Sequence, residues 1–222
     1  MFVDRREASQ KLAEKVLSDP FLKTVGKHDL LVLSIPRGGV IVGTAIARAL
    51  GCAHDVIVVK KIGFPGREEL AIGAVAEDGA AILNEQMFPY YREQANYVPQ
   101  AIERVKGKIS ALIKQFRGGR PLNLQSKVVI LVDDGIATGE TMKAAVKWAT
   151  SPNRQDQPKT VIVAIPVCSP QAARELSDLV DNFIYVAAPE HFWAIGQFYG
   201  NFNQISEDEV KTVLRNSTPS PA

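Results

Sequence analysis

The stretch VVILVDDGIATGETM, residues 128–142, constrains the fold more than any other part of the chain. Five apolar residues run straight into two adjacent acids. Small residues, two threonines and two glycines follow, and then a helical pattern begins. Neighbouring carboxylates repel each other, and a packed core does not tolerate them. The run therefore reads as a buried strand that leaves the core after Val132. In open α/β sheets ligands bind at the carboxyl ends of the strands, so Asp133 and Asp134 stand where a ligand would.

The rest of the chain supports such a sheet. Leu30–Ile35, Val56–Val59, Val128–Val132, Val161–Ile165 and Phe183–Val186 read as short buried strands. Helical segments alternate with them. One begins near Asp4, where Asp4 and Glu7 have capping-box spacing and Leu12, Val16 and Leu17 give an apolar face. Another covers Val40–Leu50 and stops at Gly51. A third covers Thr141–Thr150. A fourth is capped by Ser169, has Pro170 at its first position and runs to about Val180. Ser206 and Glu209 mark the cap of a last helix. Strands alternating with helices predict a doubly wound, mainly parallel sheet within a single domain, 1–222. Ala71–Ala76 and Ala80–Leu83 read as a hairpin around Glu77-Asp78-Gly79. Residues 85–120 read as a helical insertion, with Ile102, Val105, Ile109, Leu112, Ile113 and Phe116 on one face. Met87, Phe88, Tyr90 and Tyr91 read as cover for its core. The tail Asn216–Ala222 reads as a frayed end.

Composition narrows the class. The 222 residues are 46% hydrophobic, enough for one sizeable domain. A formal charge of +2 gives no basic excess of the kind that marks nucleic acid as the main partner. Cys52 and Cys168 lack metal or redox spacing and read as reduced core thiols. No apolar run approaches about 18 residues, and MFVDRREASQ contains no signal core. The expectation is a soluble cytoplasmic protein without a membrane partner.

The loop after the acids suggests the chemistry. Glycine and small residues let backbone N–H groups converge on an anion, and the following helix N-terminus adds its dipole. Thr138 and Thr141 add hydroxyl donors. The acids can accept hydrogen bonds from vicinal hydroxyls or help hold hydrated Mg²⁺. Hydroxyls on one side and phosphate on the other describe a sugar phosphate. A plain helix cap would need one Asp rather than two followed by T-G-x-T. There is no G-x-x-x-x-G-K-[ST], and no G-x-G-x-x-G after a strand. Response-regulator receivers carry paired acids at their first strand, whereas this pair lies mid-chain.

VVILVDDGIATGETM resembles the phosphoribosyl pyrophosphate (PRPP) signature of type I phosphoribosyltransferases, closest to adenine-type members. SIPRGGV, AIGAVAEDG and PEHFWAIGQFY extend the resemblance, over nearly the whole chain, to a group described as predicted phosphoribosyltransferases. The resemblance implies that Asp133 and Asp134 face the ribose hydroxyls, with Mg²⁺ held nearby through water or those hydroxyls. It places the 5′-phosphate on Ala137, Thr138, Gly139, Glu140 and Thr141. It places pyrophosphate at Ser34, Pro36, Arg37, Gly38 and Gly39, with a cis peptide before Arg37. Asp133, Asp134 and Arg37 are the candidate catalytic residues. Lys60, Lys61 and Arg67 lie where the family's mobile loop begins, and are candidates to meet pyrophosphate.

The implied activity is transfer of ribose 5-phosphate from PRPP to a nitrogenous base. The acceptor belongs to a variable hood, for which 85–120 and 187–205 are the candidates. Within the latter, Phe192 and Trp193 are candidates to stack on a base, or else core cover or a dimer contact. His191 is a possible acid or base, but a lone histidine is more often structural. His28 and His54 read as surface residues. Where 6-oxopurine members commonly carry an acid before T-G, this chain has Ala137, which argues against a simple hypoxanthine or guanine enzyme. Two rivals share the motif. One is a catalytically silent PRPP or nucleotide sensor. The other is a pyrophosphoryl transferase resembling PRPP synthetase, which would need a second nucleotide site. Homodimers are frequent in the family, and a homodimer is expected only by that analogy.

Overall fold

Five strands form the central layer of the protein: β1 (Leu30–Ser34), β2 (Ala53–Val56), β6 (Val128–Val132), β7 (Thr160–Val167) and β8 (Asn182–Ala187). Their spatial order is β2-β1-β6-β7-β8, and every neighbouring pair is parallel. The structure, a computed structural model, describes residues 1–64, 66–84 and 97–217. Because the strands are apolar on both faces, both faces must be covered. Leu30, Val32, Val128, Ile130 and Ile162 pack on one side with Leu12 and Val16 of α1 (Arg5–Ser18) and Val42 and Ile46 of α2 (Gly38–Leu50). Leu31, Leu33, Val129, Leu131 and Val163 pack on the other with Met142 and Val146 of α4 (Glu140–Ala149) and Leu176 of α5 (Pro170–Ser177). This is the expected doubly wound α/β architecture. Leu17 departs from the predicted α1 face and is exposed.

The caps behave as their side chains dictate. Asp4 accepts hydrogen bonds from the N–H groups of Arg6 and Glu7. The Ser169 hydroxyl accepts from Ala172 N–H, with Pro170 at the first position. Ser206 and Glu209 form a reciprocal box at the start of α6 (Glu207–Ser217).

A second, antiparallel sheet is made of β3 (Lys60–Phe64), β4 (Arg67–Val75) and β5 (Ala81–Leu83). The predicted hairpin is its β4–β5 pair. Helix α3 (Tyr97–Arg117) covers this sheet: Ala101, Val105 and Ile109 bury against Val58, Ile62, Ile72 and Val75. The described part of the predicted insertion is thus the lid of a separate small core. Residues 85–96, with Met87, Phe88, Tyr90 and Tyr91, lie outside the described residues, as do residues 218–222 of the tail.

Two expectations need correction. The second strand is Ala53–Val56 rather than Val56–Val59. Its polar residues hid it, because His54 and Asp55 are buried with partners. Asp55 takes a 2.6 Å ion pair from Arg120. The chain then leaves the sheet, and Val58 N–H donates to the Glu77 carboxylate instead of a strand neighbour. Glu77 is itself clamped by the buried Arg117 at 2.6 Å. Lys60 and Lys61, read as the start of a loop, are the first residues of β3 and pair with Val75 and Ala74.

Candidate active site

Strands β1 and β6 lie side by side, but their chains part. After β1 the chain crosses one face of the sheet to β2, and after β6 it crosses the other face to β7. Loops that diverge this way leave a crevice at the carboxyl ends of the strands. The two ends are in register, Ser34 against Val132, and Ile35 N–H donates to Val132 C=O at 2.9 Å. The Pro36–Arg37 peptide that follows is cis, as the resemblance implied. The loops then touch. A Cβ on Gly38 would lie 1.8 Å from Asp134 Oδ2, and one on Gly39 would lie 2.9 Å from both Asp133 Cα and Val132 O. Only glycines let the Arg37 loop close on the acids.

The acids occupy different surroundings. Asp133 is half-buried, and its Oδ1 accepts from Asp134 N–H at 2.8 Å. Burial first, and then the Asp134 charge, push the Asp133 carboxyl well above the usual carboxylate range, with Lys61 acting against them. Asp134 is buried and takes a 2.7 Å ion pair from Arg5 Nε. Its backbone carbonyl accepts from the Tyr199 hydroxyl.

Beyond the acids the chain turns into the start of α4. Ile136 pairs with Cys168, and the Ser169 hydroxyl donates to Ala137 C=O at 2.6 Å, tying the loop to the start of α5. Gly139 caps α4 in the left-handed region (φ 84°), with no side chain bonded to the first N–H groups. A helix start left uncapped offers those donors to a ligand. Thr138 is exposed beside it.

Three cavities meet around this centre. One, of about 580 Å³, is lined by Arg5, Arg37, Lys60 and Asp134, with Phe116 and Phe202 among its apolar walls. Burial first, then the neighbouring Arg37 charge, lower the Lys60 ammonium. A small cavity of about 90 Å³ joins Lys61 and Asp133 to Thr138–Thr141. Strand alternation therefore sends Lys60 and Lys61 to different cavities. The third, of about 740 Å³, runs from Ala137 and Thr138 past Ser169 and Arg174 to Phe192 and Trp193.

The sequence-predicted residues are thus largely brought together, with exceptions. Ser34 is fully buried, and its hydroxyl lies 2.8 Å from His54 Nε2, away from the crevice. The polar residue at that strand end serves the interior, and its side chain is not a ligand contact. His54, read as a surface residue, is 2% exposed, with Thr44 Oγ1 3.3 Å from Nδ1. The Glu140 carboxylate turns to Lys143, which also pairs with Glu175. Arg67 lies in β4; its side chain is outside the described residues. Phe192 is half-buried and packs on Phe198, with ring centroids 4.8 Å apart, while Trp193 is 86% exposed. Gln197 fixes their loop by accepting from Trp193 N–H and donating to His191 C=O. His191 is exposed. Sequence reasoning missed Arg5 altogether and placed Tyr199 only in the candidate hood, because their contacts with Asp134 span 129 and 65 residues and leave no local signal.

Among the described residues no three His, Cys, Asp or Glu side chains gather into a metal cage. The acid pair fits hydrated Mg²⁺ that draws most of its oxygen ligands from water and substrate, as that ion commonly does. The upward-shifted Asp133 carboxyl is the group whose charge an arriving cation would stabilise. No helix among the described residues is long and apolar enough to cross a membrane.

The family model described as "Phosphoribosyl transferase domain" matches residues 4–201. A Mycobacterium tuberculosis protein named for a phosphoribosyl transferase is 34% identical over 215 residues, covering 96% of this chain and 46% of that protein. The chain therefore spans about half the length of the curated relatives it matches. The crystal structure of a Thermus thermophilus protein, TT1426, is 34% identical, covers 98% of this chain and 99% of its own, and superposes with a TM-score of 0.76. A Neisseria gonorrhoeae protein crystallised with bound ppGpp, 12% identical with a TM-score of 0.50 and covering 97% and 96% of the two chains, shares the fold.

Proposed function

The chain belongs to the phosphoribosyl transferase domain family, and we propose that it moves the ribose 5-phosphate group of PRPP to a nitrogenous base, releasing pyrophosphate. One observation carries the reading. The acid pair stands between a cation-lined cavity and the start of α4 at the switch point of the sheet. PRPP has that order of groups: pyrophosphate, ribose hydroxyls, 5′-phosphate.

In this reading Arg37 and Lys60 receive the pyrophosphate, and the N–H groups opening α4 with Thr138 and Thr141 receive the 5′-phosphate. Asp133 and Asp134 accept from the ribose hydroxyls. The acceptor nitrogen forms its bond to C1 as the C1–O bond breaks, and that electron pair leaves with pyrophosphate. The transition state has the oxocarbenium character of glycosyl transfer. Asp133 and Asp134 would hold hydrated Mg²⁺, which would offset negative charge on the pyrophosphate. The protein's share is positioning, charge neutralisation and exclusion of water.

Displacement in line puts acceptor and leaving group on opposite sides of the ribose. With pyrophosphate in the 580 Å³ cavity, the 740 Å³ cavity holding Phe192 and Trp193 is the acceptor's side. Ala137 stands where 6-oxopurine members commonly carry an acid, which disfavours a simple hypoxanthine or guanine enzyme, while Glu140, Glu175 and Glu190 supply the carboxylates that line this cavity.

A second reading, a PRPP or nucleotide sensor without turnover, draws on the Arg5–Asp134 ion pair, which already occupies one acid. Incubation with PRPP, Mg²⁺ and a panel of bases, scored by pyrophosphate release, decides between them. Release with one base supports the transferase. Tight PRPP binding with no release across the panel supports the sensor. Absence of PRPP binding defeats both.

A further inference from the structure

Arg5 is the first residue of α1 and lies far in sequence from every motif of the site, yet its side chain lines the same cavity as Arg37, Lys60 and Asp134. Three contacts and a capped helix fix it. Its Nε donates to Asp134 Oδ2 at 2.7 Å, and its Nη1 donates to Asn203 C=O at 2.8 Å. Its guanidinium carbon lies 3.9 Å from the centre of the Phe202 ring. Asp4 caps the helix that carries it. Only 11% of its side chain is exposed, the same as for Asp134.

The surrounding backbone is a clasp between the residues that precede α1 and the stretch 198–201. Phe2 N–H donates to Phe198 C=O at 2.7 Å, Gly200 N–H to Phe2 C=O at 2.8 Å, and Asn201 N–H to Val3 C=O at 2.8 Å. Tyr199, tilted against Phe2 and stacked on Phe202, donates its hydroxyl to the Asp134 carbonyl. The clasp therefore grips Asp134 twice, by its main chain through Tyr199 and by its carboxylate through Arg5.

We propose that Arg5 is a positioning residue for phosphoribosyl transfer, holding the Asp134 carboxylate where the ribose hydroxyls of PRPP arrive. This rests on the transferase reading above. A releasable latch would need a loosely held arginine, whereas the stack on Phe202 and the bond to Asn203 hold Arg5 through groups other than Asp134. Arg5 also bonds only one carboxylate oxygen, so the pair need not break for the other to accept from a hydroxyl. A carboxylate held before the ligand arrives loses less freedom on binding. Lysine at this position would keep the charge but lose the planar fork that serves Asp134 and Asn203 together.

Calorimetric titration of the intact protein with PRPP and Mg²⁺ tests the proposal, together with steady-state kinetics on the acceptor found in the panel. For Arg5→Gln, the dissociation constant and KM for PRPP should rise at least tenfold. The acceptor KM should change less than threefold, and Arg5→Lys should recover part of the loss. Phe202→Leu, which removes the stack but leaves every charge, should raise the PRPP constant by a smaller factor. Wild-type PRPP affinity in folded Arg5→Gln would overturn the role of Arg5 and leave the transferase reading intact. If Arg5→Gln does not fold, unchanged PRPP affinity in both Arg5→Lys and Phe202→Leu would overturn it. A wild-type protein that binds no PRPP would overturn both.

Discussion

Acidification should weaken this protein through one buried histidine, by an amount that follows from its setting. His54 is 2% exposed, with Ser34 Oγ at 2.8 Å and Thr44 Oγ1 at 3.3 Å on its two ring nitrogens. Burial pushes its imidazole down to about 4 from an ordinary 6.5. The folded state therefore resists protonation that the unfolded chain accepts. Its contribution is fully present above about pH 6.5 and is lost as the pH falls towards 4. At about 1.4 kcal/mol per pH unit, that gap amounts to about 3 kcal/mol, or on the order of 10 °C in Tm for a chain of this size. Urea unfolding of the wild type and of His54→Asn at pH 7, 6, 5 and 4 isolates it. Asp55 and Glu77, raised by burial and acting with the opposite sign, titrate in both proteins and cancel in the comparison. Whatever the offset at pH 7, the wild type should lose about 3 kcal/mol more than the variant by pH 4. Parallel stability curves would refute the reasoning. Because Ser34 ends β1 three residues before Arg37, the same histidine lies at the base of the Arg37 loop.

Asp133→Asn should separate stability from function. The folded state raises this carboxyl, so its charge opposes folding at neutral pH, and that penalty fades as the pH falls. The variant should be more stable than the wild type at pH 7 by urea denaturation, with the advantage shrinking in acid, while PRPP turnover falls more than tenfold, roughly 1.4 kcal/mol. Gly39→Ala should part the two loops, because its Cβ would meet backbone at 2.9 Å on Asp133 and Val132. PRPP affinity should fall while the far-ultraviolet circular dichroism stays unchanged. Trp193→Ala, at a site 86% exposed, should shift stability by no more than about 0.5 kcal/mol, yet raise the KM of the acceptor more than that of PRPP.

The elements built on local pattern were readable along the chain. Val128–Val132 carries its burial in five consecutive apolar side chains, Ser169-Pro170 carries a helix start, and Asp133–Asp134 before T-G-x-T carries a ligand end. Strand β2 was not readable. Its His54 and Asp55 look like surface residues until Ser34, Thr44 and Arg120, none of them adjacent, supply their partners. Lys60 and Lys61 look like loop charges because strand pairing with Val75 and Ala74 is not a local property.

The sequence by itself determined the doubly wound sheet and the place of the acid pair and small-residue loop at the end of β6, because periodicity, caps and a run of adjacent motif residues act over a few positions. Tertiary structure alone decided which side chains complete the site. Arg5 reaches Asp134 only because α1 lies against the crevice. Ser34 turns inward only because His54 lies on the neighbouring strand. Gly38 and Gly39 are required only because β1 and β6 end side by side. Such contacts are made between segments distant in the chain, so their physical cause is not written in any one of them.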